Sequence, residues 1–234
     1  MTTSGTYTFN PSLGEIVLNA YARCGVRRTA IMQEHMTDAR FETNLMLASW
    51  ANQGVNLWEV VLISVPLVQG QTTYTVPQKV VMILDAVIQQ NTGTSSQFDR
   101  VIMPISRTEY SQTPNKLQQA PPTVFWFDRL INPTVTLWPV PDQSNVYTLN
   151  YYAVTQIQDA ELTDAQTVDI PYRWLDALAS GLAARLAAIY APDRMQMLEA
   201  KAQQAYMIAA TQDTENVPLY IMPGLSGYCL LYTI

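Results

Sequence analysis

Charge is what this chain has least of. Only 14% of its 234 residues are Asp, Glu, Lys or Arg, against about 25% in an ordinary soluble domain. Glutamine, asparagine, serine and threonine fill the difference. A neutral polar surface costs less to desolvate than a charged one, and interface cores are depleted in charge. The shortage therefore favours a protein that works packed against others. Histidine is scarcer still. His35 is the only one, and it stands in QEHM with no HExxH motif and no GxSxG elbow. Any histidine triad or histidine metal site would depend on it, so a surface or packing role is expected. The two cysteines, Cys24 and Cys229, lie far apart in sequence, which argues against a disulfide framework or a zinc site and for reduced thiols. No Walker A or GxGxxG pattern supports nucleotide binding, and no cofactor is expected. No apolar run approaches the roughly 20 residues of a membrane span. The opening MTTSGTYTFNPSLGE lacks the basic and apolar regions of a signal peptide. The expectation is a chain made in the cytoplasm, with no membrane partner.

The sign of the charge excludes a further class. The net charge is −6 and the pI about 4.7, and Arg27-Arg28 is the only adjacent basic pair. Gripping nucleic acid needs phosphate neutralisation by clustered lysine and arginine. A chain that encloses DNA without gripping it would still fit.

What is present is patterned. Asn10-Pro11 reads as the N-cap and first residue of a helix that ends at Gly25, with Leu13, Val17, Ala20 and Cys24 on one face. Thr37-Asp38 reads as the start of a second helix running to about Asn52. Gly54 would be its stop, and Phe41, Leu45 and Ala48 its apolar side, widened by Met46 and Trp50. Val26 to Met36 is ambiguous. From Leu57 the period changes to β-branched and aromatic runs broken by Gly, Pro, Asn and Ser. VTLWPVPDQSNVYTLNYY reads as a hairpin. Helices return after Asp169-Ile170-Pro171, first with Trp174, Leu178, Leu182, Leu186 and Ile189 on a stripe. After Ala191-Pro192-Asp193 a second carries Met195, Leu198, Ala202, Ala205 and Ala209.

The expected fold is α+β: a helical bundle built from N- and C-terminal helices, with an inserted antiparallel β module and an extended C-terminal tail. The expected division is 1–56 N-terminal bundle helices, 57–160 β module, 161–211 C-terminal bundle helices and 212–234 tail. Trp50, Trp58 and Trp174 are expected to seal the seam between bundle and β module rather than form a ligand platform. The tail is apolar and turn-broken, so it should be tied down on its own domain or on a neighbour.

Carboxylates are the one route to chemistry. Glu42 and Glu59 flank the tryptophan corner, and Asp159, Glu161, Asp164 and Asp169 form the densest cluster. A glycoside hydrolase needs only two such groups. The cluster lacks the glycine and terminal glutamate of a calcium loop and reads as a solvated connection into the next helix.

An ordered set of motifs resembles a known family. AYARCG at 20–25, NLMLASWANQGVNLW at 44–58 and VPLVQGQTTYTVP at 65–77 come first. ISRTEYSQTPNK at 105–116, PPTVFWFDR at 121–129 and VTLWPVPD at 135–142 follow. IPYRWLDALASGLAARLAAIY at 170–190 and DTENVPLYIMPG at 213–224 complete it. VRRTAIMQEHM is not among the matching motifs, and SGYCLLYTI looks particular to this chain. In that order the set is similar to the head-to-tail connector, or adaptor, proteins of short-tailed bacteriophages, also called packaged-DNA stabilisation proteins or tail accessory factors. The resemblance implies a structural virion protein at the head–tail junction, not an enzyme. It implies a ring, commonly of twelve copies, below the portal protein, which extends the DNA channel, helps retain packaged DNA and carries tail or nozzle proteins. It also implies a C-terminal segment that docks on the portal. Leu219, Ile221, Leu225, Tyr228, Leu230, Leu231 and Tyr232 are its expected anchors, because aliphatic and aromatic side chains dominate interface energetics. The alternatives are a peptidoglycan hydrolase using paired carboxylates, or a tail-tube or stopper protein one layer below the adaptor.

Overall fold

The computed structural model describes residues 5–53, 57–161 and 166–214. Helix α1 spans Leu13–Cys24. It begins at a capping box, not at Asn10-Pro11: Ser12 Oγ accepts the Glu15 N–H at 3.3 Å, and the Glu15 carboxylate accepts the Ser12 N–H at 2.9 Å. Two orphan donors are satisfied by one S-x-x-E pair, a stronger start signal than an Asn-Pro step. Gly25 ends the helix at φ 88°, donating its N–H to the Tyr21 and Ala22 carbonyls. The expected face, Leu13, Val17, Ala20 and Cys24, is buried.

The stretch after Gly25 makes a 3-10 turn, Arg28–Ala30, and then helix α2, Gln33–Gln53, which starts a turn earlier than expected. Its expected stop, Gly54, lies outside the described residues. The buried face is Ala39, Thr43, Met46, Leu47 and Trp50, while Phe41 is 63% and Leu45 44% exposed. Of the expected apolar side, Met46 and Trp50 are buried, but Phe41, Leu45 and Ala48 lie on the outer face. Two facts favour the buried face: the Thr43 hydroxyl is satisfied by the Ala39 carbonyl at 2.7 Å, and Met46 lies against a glycine of the next layer. A Cβ on Gly181 would come 2.6 Å from Met46 Sδ.

That glycine belongs to helix α4, Leu175–Tyr190, which is preceded by a 3-10 turn at Tyr172–Trp174. Helix α5, Met195–Gln212, returns beside it. Helices α1, α2 and α5 all pack on α4, whose Leu178, Leu182 and Leu186 are fully buried and whose alanines allow the close approach. Ile189 falls off the buried stripe and is exposed, because the helix ends one residue later at the Ala191-Pro192 turn. On α5 only Leu198 and Ala209 of the expected stripe are buried, and Met195 is exposed. Among the described residues this helix has α4 on one side and no enclosing layer on the other.

The β-branched and aromatic runs after Leu57 form seven strands: β1 Val60–Pro66, β2 Thr73–Thr75, β3 Val80–Gln90, β4 Phe98–Pro104, β5 Val124–Asp128, β6 Thr134–Trp138 and β7 Tyr147–Thr155. Leu57-Trp58, expected to open β1, makes a short 3-10 turn, Leu57–Glu59, instead. The strands join in one curled sheet in the order β1-β7-β3-β4-β5-β6-β2. The sheet is mixed, not wholly antiparallel: β4 and β5 pair in parallel across the short helix α3, Arg107–Gln112. Nor do β6 and β7 form a hairpin. β7 sits between β1 and β3, so both its edges are already paired, and β6 pairs with β5 and β2. Pro139 and Pro141 cannot donate to a ladder, which ends β6 before the chain could fold back on itself. The sheet's own core gathers Leu67, Ile88, Ile102, Leu137, Leu149 and Tyr151, distinct from the helical core around α4. The fold class is α+β.

Candidate functional site

An aromatic cluster stands in the helical core, where the chain turns into β1. Trp174 is 1% exposed and stands at the entrance to α4. Its ring centroid is 5.2 Å from Trp50 at the end of α2, 5.0 Å from Trp58 in the turn before β1, and 5.4 Å from Tyr206 on α5. Trp50 and Tyr206 also touch, at 5.8 Å. The structure thus brings together the three tryptophans singled out from the sequence and adds Tyr206, which sequence reasoning missed. Tilted and edge-on contacts of this kind suit the ring quadrupoles and add about 0.5–1.5 kcal/mol per pair beyond area burial.

A charge pair closes the same cluster. Asp213, the residue after α5, has a buried carboxylate that is ion-paired to Arg173 and accepts the Leu57 N–H at 3.2 Å. Its own N–H caps α5 on the Ala209 and Ala210 carbonyls. The Arg173 guanidinium lies 5.8 Å from the Trp58 ring centroid. Three chain segments, 57–59, 172–174 and 212–214, are therefore held at one point, from which the C-terminal segment departs. Neither Arg173 nor Asp213 stood out in the sequence, because an Arg in PYRW and an Asp after a helix are both common solvent-facing placements. The expected anchors Leu219, Ile221, Leu225, Tyr228, Leu230, Leu231 and Tyr232 lie outside the described residues.

The connection returning from the sheet is fastened nearby. The Asn44 side chain on α2 donates to the Ala160 carbonyl at 3.1 Å and accepts the Ala160 N–H at 2.7 Å. Leu13 N–H donates to the Gln166 carbonyl at 2.9 Å.

The candidate catalytic carboxylates are occupied or solvated. Glu42 is paired with Arg185 at 3.3 Å. Glu59 is buried and accepts the Thr155 hydroxyl at 2.9 Å. Burial raises its pKa, while the Thr155 hydrogen bond opposes the rise. Asp159, Glu161 and Asp169 are exposed, and Asp164 lies outside the described residues. His35 packs its ring on Tyr190 at 4.7 Å, accepts the Met32 N–H at 3.3 Å, and offers its carbonyl to the Tyr21 hydroxyl at 2.6 Å. Cys24 is buried with its thiol on the Ala183 carbonyl at 3.3 Å, and burial raises its pKa; Cys229 lies outside the described residues. Among the described residues no three His, Cys, Asp or Glu side chains converge in a way that could hold a metal ion, and no helix is long and apolar enough to cross a membrane.

The geometry is that of a packed aromatic cluster closed by an ion pair, beside the turn that leads into β1. No curated protein matches the chain. The family model described as SU10 adaptor protein matches residues 27–221, a span that runs from just before α2 through the aromatic joint and past Asp213 into the C-terminal segment. The chain belongs to the SU10 adaptor protein family, a phage head–tail adaptor family with a structural role.

Proposed function

We propose that this chain forms a ring, commonly of twelve copies, directly below the portal, where it extends the DNA channel, helps retain the packaged genome and offers a platform to tail proteins. Membership of the adaptor family over residues 27–221 carries this reading. In it the chain divides functionally at the aromatic joint: a helical layer, a β module, and a C-terminal segment that docks on the portal through Leu219, Ile221, Leu225, Tyr228, Leu230, Leu231 and Tyr232. Trp50, Trp58 and Trp174 hold the layers at a fixed angle, and the Arg173–Asp213 pair fixes the point from which the docking segment leaves.

Two observations support a ring. A closed ring needs two different, mutually complementary faces on each subunit. Helix α2 offers Phe41 and Leu45, and helix α5 offers Met197 and Ile208, each at least 44% exposed. The acidic balance of the chain, net −6, suits a channel wall that lets DNA slide past.

The test is the mass of the purified chain by light scattering, alone and with its cognate portal. A 26.2 kDa chain that joins the portal as a ring, and fails to do so when truncated after Thr214, supports the reading. Truncation there keeps Asp213 and the joint. A chain that ignores the portal with or without its tail would overturn it and favour a tail-tube or stopper protein one layer lower. The hydrolase alternative would then be tested by cell-wall clearing with Glu42→Gln and Glu59→Gln.

A further inference from the structure

Helices α2 and α5 flank α4 on the same side and leave a trough between them of about 570 Å³. Its floor is made of Ala177, Gly181 and Ala184, and Met46 and Trp50 line one wall. The Trp50–Tyr206 ring contact at 5.8 Å closes its end at the joint. Of the charged groups at its edge, Arg185 is already held by Glu42 at 3.3 Å, and Glu199 lies on the rim. The trough therefore presents apolar walls and little free charge, which suits a neutral apolar occupant and disfavours an anionic ligand or nucleic acid.

We propose that, before assembly, this trough is occupied by the chain's own residues 215–234, the segment that the adaptor reading assigns to the portal. The segment has one charged residue, Glu215, in a run rich in Leu, Tyr and Ile. Left in water, it would expose a contiguous apolar stretch of the kind that drives association. It starts in the right place, since Asp213 is fixed at the joint that closes the trough. It is also long enough. Twenty residues reach up to about 66–72 Å when extended, whereas the α5 wall from Met195 to Tyr206 is about 17 Å long at 1.5 Å per residue. A tether this short gives an effective concentration in the millimolar range, so even a modest intrinsic affinity fills the site. Docking on the portal then exchanges an internal partner for an external one.

The experiment uses a fluorescent peptide of residues 215–234 on a soluble carrier, and measures anisotropy with dilute monomeric protein. The chain truncated after Thr214 is expected to bind the peptide. The full chain should bind it at least ten-fold more weakly, because its own segment competes. In the truncated chain Ala184→Arg should abolish binding with the helical circular dichroism unchanged; Ala202→Arg, on the opposite wall, serves if the first variant does not fold. Absence of binding to the truncated chain, equal binding to both chains, or binding undiminished by the folded arginine variant would each overturn the proposal. The same peptide is titrated into portal. Binding to portal but not to the truncated chain sinks this inference and leaves the adaptor reading standing, while the converse does the opposite.

Discussion

The Arg173 guanidinium meets the carboxylate of Asp213 where α5 ends, and the Asp213 side chain is almost wholly buried while that of Arg173 is 40% exposed. The asymmetry decides what each substitution does. Arg173→Met leaves a buried carboxylate with only the Leu57 N–H, and breaking a buried pair from one side costs about 3–5 kcal/mol. Partial exposure of Arg173 lets water repay some of this, so a loss of about 2 kcal/mol in urea unfolding is expected. Asp213→Asn keeps an acceptor for Leu57 and removes the buried charge, so it should cost about 1 kcal/mol. A larger loss for the Asn variant than for the Met variant would show that the Asp213 charge is stabilised mainly by groups other than Arg173.

Trp174 touches Trp50, Trp58 and Tyr206 at once. Trp174→Ala should destabilise the chain by about 3–5 kcal/mol, as other buried aromatic truncations do. Trp174→Phe should cost clearly less, because a ring remains between the neighbours. Separate unfolding of the helical and sheet layers in the Ala variant, seen as two transitions by circular dichroism, is the further expected outcome. A single unshifted transition would mean that the layers are coupled elsewhere.

Much of this architecture was legible in the residues, and the misses have a common cause. Period and punctuation sufficed for four of the long elements and all seven strands, because each depends on local sequence. Pairing did not follow from them. Proximity in sequence suggested a β6–β7 hairpin, but β7 is claimed on both edges by β1 and β3, a competition that no local window contains. The same limit applies to α2, where Phe41 and Leu45 made the more hydrophobic stripe and yet face outward. Which face is buried was decided by fit to Gly181 on another helix. The three tryptophans that the structure brings together were findable because large aromatics are conspicuous in any local window. Arg173 and Asp213 were not, since their partnership spans segments whose approach only the fold creates.

Glu59 gives a pH signature. Burial raises its pKa above the usual carboxylate range, with the Thr155 hydrogen bond pulling the other way. The folded chain therefore holds a proton that the unfolded chain releases at about pH 4.3. Between that pH and the raised folded value, stability falls as pH rises, and above it the penalty is constant. Glu59→Gln removes the penalty. The variant should match the parent below about pH 4 and exceed it in urea midpoint at pH 7. A variant that is less stable at pH 7 than at pH 4, relative to the parent, would mean that the ionised carboxylate is stabilising where it sits.

Phe41 and Leu45 on α2, and Met197 and Ile208 on α5, are exposed in the single chain, so charges there should change monomer stability by no more than about 0.5 kcal/mol. In a ring that closes through α2 of one copy against α5 of the next, each becomes an interface anchor, and losing one costs about 2 kcal/mol or more per contact. Leu45→Glu and Ile208→Glu should each abolish portal-bound rings while the monomers stay folded. Mixing is the sharper measurement. A Leu45→Glu chain keeps an intact α5 face, and an Ile208→Glu chain keeps an intact α2 face. One such contact can form between them, and the two remaining faces are both blocked. Native mass spectrometry of the mixture should therefore find a two-chain species that does not grow. Larger assemblies from the mixture would mean that the subunits meet through other surfaces, of which the exposed side of the sheet at Leu62, Tyr152 and Val101 is the next to test.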